Sequence, residues 1–267
     1  MPVVRRQVGC QLQQKMSDLI VVKVGTGVLT RFSDGRIDGG SLVRLVTALA
    51  EQVEQGRRLV LVSSGAVGSG VSALGLAEYP SELSEKQAAA AVGQARLMHT
   101  YENLFSQFGL SVAQILLTGD NLQNKEVRNR VRSTMSCLLE KGTVVPIVNQ
   151  NDSVAVEELS KGDNDMLSVR VSELMGADLL VMLTSADGLC KQEGGPLIPE
   201  VTDLALARTW VGDASGKFSI GGMRSKLDAV ELALASGVKV SIGNGRHPER
   251  LAEIVEGKGI CTKFLID

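Results

Sequence analysis

The sequence predicts an α/β protein: a three-layer αβα sandwich built on a mostly parallel central sheet. Three observations carry that expectation. From Leu19 onward, short aliphatic runs alternate with longer segments of helical period, the rhythm of successive βαβ units. The short runs are apolar almost throughout instead of alternating, as strands covered on both faces are. Their ends are marked by glycine, serine, asparagine and aspartate, which punctuate periodic segments.

Residues 1–16 read as an N-terminal extension. They carry Arg5, Arg6 and Lys15, no acid and no continuous apolar core of a secretory signal. A transit peptide, or a natural start at Met16, are the other readings. "LIVVKV" (19–24) is a buried strand. Residues 39–56 place Leu42, Leu45, Val46, Leu49 and Val53 on one helical face, with Ser41 as the expected N-cap and Gly56 as the stop. "RLVLVSSG" (58–65) is the second strand. An alanine-rich helix is expected over 84–109, capped by Ser84 and ended by Gly109. Strands at 111–117 and 143–149 flank a helix over about 121–141.

The second half continues the alternation, with a helix over 165–175 and a strand at "DLLVMLTS" (178–185). A polar, glycine-rich connection covers 187–219, then a helix (226–237), a strand (238–244), a short helix (248–256) and a last strand (260–265). No internal repeat or low-complexity linker interrupts the pattern. One domain over 17–267 is expected, with two lobes meeting near residue 170.

Composition removes several classes of function. The 267 residues carry a formal net charge of −2, unsuited to coating nucleic acid or anionic lipid. No apolar run approaches the roughly 18 residues of a membrane span. Cys10, Cys137, Cys190 and Cys261 form no CxxC pair and read as reduced packing thiols in a cytoplasmic protein. Only His99 and His247 are present, too few for a histidine metal cluster or a Ser-His-Asp site. His99 falls in a helical pattern and reads as structural.

The chemistry concentrates where strands end. Lys23 lies inside the apolar run "LIVVKV", a costly place for an ammonium unless an anion meets it. Gly25 and Gly27 follow; alone they would be a plain turn. Ser63-Ser64-Gly65-Ala66 follows the second strand, and Asn149-Gln150-Asn151-Asp152 the "TVVPIVN" strand. "GDND" (162–165) fits either an Asx-rich turn or a polar site. Thr184-Ser185 ends a further strand. In "SIGGMRSKL" (219–227), two glycines precede a helix start that carries Lys226, so exposed N–H groups and an ammonium face the same space. Standard phosphate fingerprints fail. "ASGKFS" (214–219) has Val211 where a Walker A glycine belongs, and Phe218 follows its lysine. Gly68-x-Gly70-x-x-Ala73 matches a dinucleotide pattern in letters but begins several residues after its strand.

The motifs "VVKVGTGVLT" (21–30), "VSSGAV" (62–67), "AAVGQARLM" (90–98), "PIVNQNDSVA" (146–155), "GDNDMLS" (162–168) and "GGMRSKLDAV" (221–230) occur in an order that resembles the amino acid kinase family, and within it the glutamate 5-kinases. The resemblance runs from about Leu19 to Phe264. It implies ATP-dependent phosphorylation of the γ-carboxylate of L-glutamate, the first step of proline biosynthesis, with Mg²⁺ brought by the nucleotide and no protein metal ligands. By position, it makes Lys23 and Lys226 the catalytic lysines and Asp165 the carboxylate that holds them. Ser64, Gly65, Ala66, Asn149, Asp152, Asp163 and Asn164 become the glutamate side. Lys23, Gly25, Thr184, Ser185, Ile220, Gly221, Gly222, Met223, Arg224, Ser225 and Lys226 become the nucleotide side. The lobes are then 17–170 for glutamate and 171–267 for nucleotide.

The same resemblance implies a homodimer or homotetramer, proline as feedback inhibitor and coupling to glutamate-5-semialdehyde dehydrogenase. It leads to the expectation that the C-terminal RNA-binding-like (PUA) module of many members is missing. Two positions depart from the family. Ser185 stands where an aspartate is usual, and Ser219-Ile220 where a Gly-Thr pair is usual, which touches nucleotide affinity and base preference. The competing readings are N-acetylglutamate, aspartate, carbamate or nucleoside-monophosphate kinases of the same fold, and a non-catalytic ligand-binding protein built on it. Asp152 suits a free ammonium better than an acylated nitrogen, and both lysines argue for catalysis.

Overall fold

The structure, a computed structural model, describes residues 18–31, 36–154, 163–191, 194–211 and 222–265. Its strands are β1 (Leu19–Val24), β2 (Arg58–Val62), β3 (Ser111–Leu117), β4 (Val144–Gln150), β5 (Leu179–Thr184), β6 (Glu200–Val201), β7 (Lys239–Asn244) and β8 (Cys261–Phe264). They form one sheet in the order β3-β4-β2-β1-β5-β7-β8-β6. All neighbours are parallel except β7 and β8. The helices are α1 (Thr26–Leu29), α2 (Gly39–Glu54), α3 (Ala66–Leu74), α4 (Leu83–Phe105), α5 (Gly119–Gln123), α6 (Lys125–Leu139), α7 (Asp163–Met175), α8 (Leu204–Arg208), α9 (Met223–Ala235) and α10 (Leu251–Val255). The α/β class and the mostly parallel sheet are those the sequence predicts.

The period of two in each strand divides the core into two layers. Leu19 and Val21 of β1, Val62 of β2 and Met182 of β5 pack with Met135, Val171 and Val230 from α6, α7 and α9. Ile20, Val22 and Val24 face the other way with Leu45, Leu97, Phe105 and Leu251 from α2, α4 and α10. All six β1 residues are buried, and each buried aliphatic side chain contributes about 1.5–3 kcal/mol. Lys23 shares the parity of Val21, so its stem lies on the α7–α9 face. That placement decides its partners.

Several boundaries differ from the sequence reading for identifiable reasons. The N-cap of α2 is Asp38, which accepts from Gly40 N at 3.0 Å and Ser41 Oγ at 2.9 Å; Ser41 sits inside the helix. Gly56 does end it, at φ +83, with Gly56 N donating to Val53 O and Arg57 N to Gln52 O. Ser84 is also inside its helix, since α4 begins at Leu83 after Glu82. The expected 121–141 helix is two helices, because the Asn124 side chain accepts from Glu126 N and Val127 N and restarts the chain as α6. The 187–219 connection contains β6 and α8. Helix α9 starts three residues early, at Met223, which draws Lys226 into its first turn.

Two glycines lock α3 against α4. A Cβ on Gly70 would lie 1.8 Å from Ala89 O, and one on Gly93 would lie 1.9 Å from Ala66 O. The backbones therefore touch where any side chain would separate them. Among the described residues, no helix is long and apolar enough to cross a membrane.

Candidate active site

In an open parallel sheet, ligands bind beyond the carboxyl ends of the strands where the strand order reverses direction. Here that point is β1: later strands first add on one side through β2, then on the other through β5. Lys23 lies near the carboxyl end of β1, in register with Val62 and Met182.

Three charged side chains from three elements converge there. Lys23 Nζ is 2.7 Å from Asp165 Oδ1, and Lys226 Nζ is 3.3 Å from Asp165 Oδ2. Side-chain exposures are 7% for Lys23, 11% for Lys226 and 3% for Asp165. Burial opposes ionisation of Asp165, but Lys23 and Lys226 together outweigh it and hold its carboxyl below the usual range. Burial pushes the Lys226 ammonium down; Asp165 opposes this and Lys23 adds to it. Two cations thus share one anion in a nearly dry space.

Helix N-termini and bare backbone border the cluster. Gly25 N donates to Leu183 O at 3.1 Å, and a Cβ on Gly25 would lie 3.5 Å from Lys23 Nζ. The first turn of α9 contains Met223, Arg224, Ser225 and Lys226 after the N-cap Gly222, with no acid to occupy its N–H groups. Ser225 Oγ donates to Gly222 O at 2.9 Å. Ile220 and Gly221 lie outside the described residues, as does the side chain of Asp163, the first residue of α7.

On the β2 side, Gly65 takes φ +96 and opens α3 at Ala66 without a side-chain cap or an acid in its first turn. The free N–H groups of that turn suit a carboxylate. Asn164 Nδ2 donates to Ser64 Oγ at 2.9 Å, Ser63 O at 3.1 Å and Asn149 Oδ1 at 3.2 Å. Ser64 accepts one of these bonds, which leaves its own O–H to donate. Asp152 lies close enough to Tyr79 to act on it: the Tyr79 hydroxyl is pushed up to about 12, by burial first and by the Asp152 charge second.

Beyond β5, Thr184 Oγ1 donates to Ala186 O at 3.0 Å and accepts from Ala186 N at 3.1 Å, closing its own turn. Ser185 is exposed, and its Oγ would lie 4.0 Å from a Cβ on Gly27. Lys23, Asp165 and Lys226 therefore form one cluster, and Ser64, Asn149 and Asn164 another, joined through α7.

Sequence reading missed several participants. Tyr101 Oη lies 2.9 Å from Ser63 Oγ, whose own proton goes to Ser64 O at 3.1 Å, so α4 braces the β2 turn. Gln94 and Gln114 extend the amide contacts of Asn149. Past Ser185, Asp187 accepts from Asn244 Nδ2 at 3.0 Å and Arg250 Nη1 at 3.4 Å, while Arg246 Nη2 donates to Gly27 O at 3.3 Å. "NGR" after β7 carried the same strand-end signal as the motifs that were found.

Comparison with known proteins supplies the family. Residues 18–244 match the amino acid kinase family. Glutamate 5-kinase of Moorella thermoacetica is 44% identical over 262 residues, covering 96% of this chain and 69% of that protein. Glutamate 5-kinase of Clostridium acetobutylicum is 41% identical over 252 residues, covering 92% and 94%. A carbamate kinase from Giardia lamblia bound to AMP-PNP superposes with a TM-score of 0.65 at 12% identity, covering 94% of this chain and 99% of that one. That last likeness is one of fold.

Proposed function

The chain belongs to the amino acid kinase family, and from that premise we propose that it transfers the γ-phosphoryl group of ATP to the γ-carboxylate of L-glutamate, forming L-glutamyl 5-phosphate for proline biosynthesis. The observation that carries the reading is the Lys23–Asp165–Lys226 bracket, with 2.7 Å and 3.3 Å contacts on the two oxygens of one buried carboxylate. The names of its relatives specify glutamate.

The geometry supports a direct displacement. An oxygen of the γ-carboxylate attacks the γ-phosphorus, and the bond to the bridging oxygen breaks as ADP leaves. The acceptor is already ionised at neutral pH, with an ordinary pKa of about 4.3, so no general base is needed. Lys23 and Lys226 neutralise charge on the phosphoryl oxygens in flight, and Asp165 fixes their positions. Phosphoryl transfer depends mainly on such positioning and charge stabilisation. Ser64, Gly65, Ala66, Asn149, Asp152, Asp163 and Asn164 form the glutamate side. Gly25, Thr184, Ser185 and residues 220–226 form the nucleotide side, within lobes 17–170 and 171–267. Among the described residues, no three His, Cys, Asp or Glu side chains gather as a metal site. Mg²⁺, bound largely through phosphates and water, would supply further charge neutralisation.

The same reading makes the protein a cytoplasmic homodimer or homotetramer, inhibited by proline and coupled to glutamate-5-semialdehyde dehydrogenase. Light scattering at physiological salt that gave only monomer would remove the oligomer. N-acetylglutamate and aspartate are the competing acceptors. Asp152 and the buried oxygen of Asn164 both favour a free ammonium. A hydroxamate assay with ATP and Mg²⁺ separates the three. Product from glutamate alone, reduced at least about a hundredfold in Lys226→Ala, is the expected result. Equal product from N-acetylglutamate would overturn the acceptor, and an active Lys226→Ala would overturn the mechanism.

A further inference from the structure

Four side-chain amides run in line from the outer part of the sheet to the site. Gln114 lies on β3, Gln94 on α4, Asn149 on β4 and Asn164 on α7. Gln94 Nε2 donates to Gln114 Oε1 at 3.0 Å, Asn149 Nδ2 to Gln94 Oε1 at 2.9 Å, and Asn164 Nδ2 to Asn149 Oδ1 at 3.2 Å. In each of these three bonds the donor is the member nearer the site and the acceptor the member farther away. Such a chain has two possible polarities, because the two ends of an amide are nearly the same size. Backbone groups select one. Gln150 N–H donates to Asn149 Oδ1 at 2.9 Å, so that atom must be oxygen. Ser63 O lies 3.1 Å from Asn164 Nδ2, so that atom must carry hydrogen.

The polarity leaves an acceptor at the inner end. Asn164 Oδ1 is buried and has no hydrogen-bond partner among the described residues. A buried lone acceptor is costly unless a donor from a ligand completes it. An α-ammonium offers three such donors, whereas an N-acyl nitrogen offers one and brings its own carbonyl. We propose that Gln94 is a positioning residue for substrate selection: its Oε1 holds Asn149, and through it Asn164, with the acceptor toward the site, so that the pocket takes an amino acid with a free α-ammonium and refuses the N-acylated form. This rests on the reaction given above and adds the origin of its selectivity. Gln94 never touches substrate. It acts through two other side chains, from a helix locked in place by the glycine beside it, Gly93.

The test compares Gln94→Leu with Gln94→Glu. Leucine cannot accept from Asn149. Glutamate can, and Gln114 can turn its amide to donate to the new oxygen. Gln94→Leu should raise KM for glutamate about tenfold while kcat and KM for ATP change less than about threefold, the pattern of a lost substrate-positioning contact. Its preference for glutamate over N-acetylglutamate should fall by a similar factor. Gln94→Glu should restore KM to within about threefold of wild type. Should Gln94→Leu not fold, Gln94→Met has similar volume and provides the same comparison. A wild-type KM for glutamate in Gln94→Leu or Gln94→Met, or no rescue by Gln94→Glu, overturns the proposal. A wild-type protein inactive toward glutamate overturns the reaction itself and the proposal with it, a result distinct from an active wild type whose variants are unaltered.

Discussion

At the scale of single residues, the sequence exposed Lys23 because an ammonium inside an aliphatic strand needs a reason. Parity along β1 then decides which helices can provide one, and α7 brings Asp165 to 2.7 Å. Asp165 was legible as part of "GDND", but its service to two lysines was not, because they lie 142 and 61 positions away in the chain. The arrangement predicts a pH signature. Burial would raise the Asp165 carboxyl, but Lys23 and Lys226 outweigh it and hold the group below its ordinary value of 3.8. The stability it contributes is therefore full above about pH 5 and is lost as pH falls through 3.8 and the depressed folded value. Asp165→Asn removes the carboxylate that both buried ammonium groups contact and should cost about 3–5 kcal/mol at pH 7. Urea unfolding from pH 7 down to pH 3 should show the wild type converging on the variant. A gap that stayed constant over that range would mean that folding does not shift the titration of the Asp165 carboxyl.

At the scale of elements, local pattern was most reliable for the strands and least reliable for what small residues do. β1 and β3 fall on their expected bounds. The cap of α2 shifted because the Asp38 side chain takes that role, whereas α4 begins after Glu82 with no side-chain cap and Ser84 lies within it. Gly68-x-Gly70 matched a phosphate fingerprint in letters, yet Gly70 serves helix packing, with Ala89 O filling the space of its missing side chain. Nothing in the local sequence separates a glycine that approaches a ligand from one that approaches another helix. Gly93 makes the matching contact, with Ala66 O, and Ala66 opens the helix whose N–H groups belong to the proposed glutamate side. Gly93→Ala should therefore act on stability and substrate together. We expect a loss of about 3 kcal/mol, toward the upper end for overpacking, and a KM for glutamate raised at least about fivefold as α3 is displaced. Gly56→Ala is the control. It is left-handed at φ +83 with open space around it, so it should cost about 1 kcal/mol and leave KM unchanged. Equal KM values in the two variants would detach the helix contact from substrate binding.

At the scale of the whole molecule, the rhythm of elements announced a parallel sheet covered on both faces, but neither its strand order nor its one antiparallel pair. Both depend on pairings between residues distant in sequence. The reversal β7–β8 needs only the short connection through α10, and it carries no composition that distinguishes it from the parallel crossovers. Strand order matters for function because it puts the two proposed ligand sides around a single charged bracket. A protein of net charge −2 then has to bring two anions, a nucleotide and a carboxylate, against two lysines already sharing one aspartate. Coulomb repulsion between those anions is strong at short range in a space of low dielectric. The lysines can offset only part of it, and in the proposed reaction a divalent cation on the phosphates offsets the rest. Thermal unfolding makes that division measurable, since a ligand at a hundred times its Kd adds about 2.7 kcal/mol, or about 5 °C for a chain of this size. With Mg²⁺ present, AMP-PNP and glutamate should stabilise additively. With EDTA in place of Mg²⁺, the two together should give clearly less than the sum of their separate shifts. Lys226→Ala should lose most of the AMP-PNP shift and keep the glutamate shift, and Ser64→Ala should do the reverse. Full additivity without Mg²⁺ would mean that the anions do not meet at the bracket, and that the two sides of the site work independently.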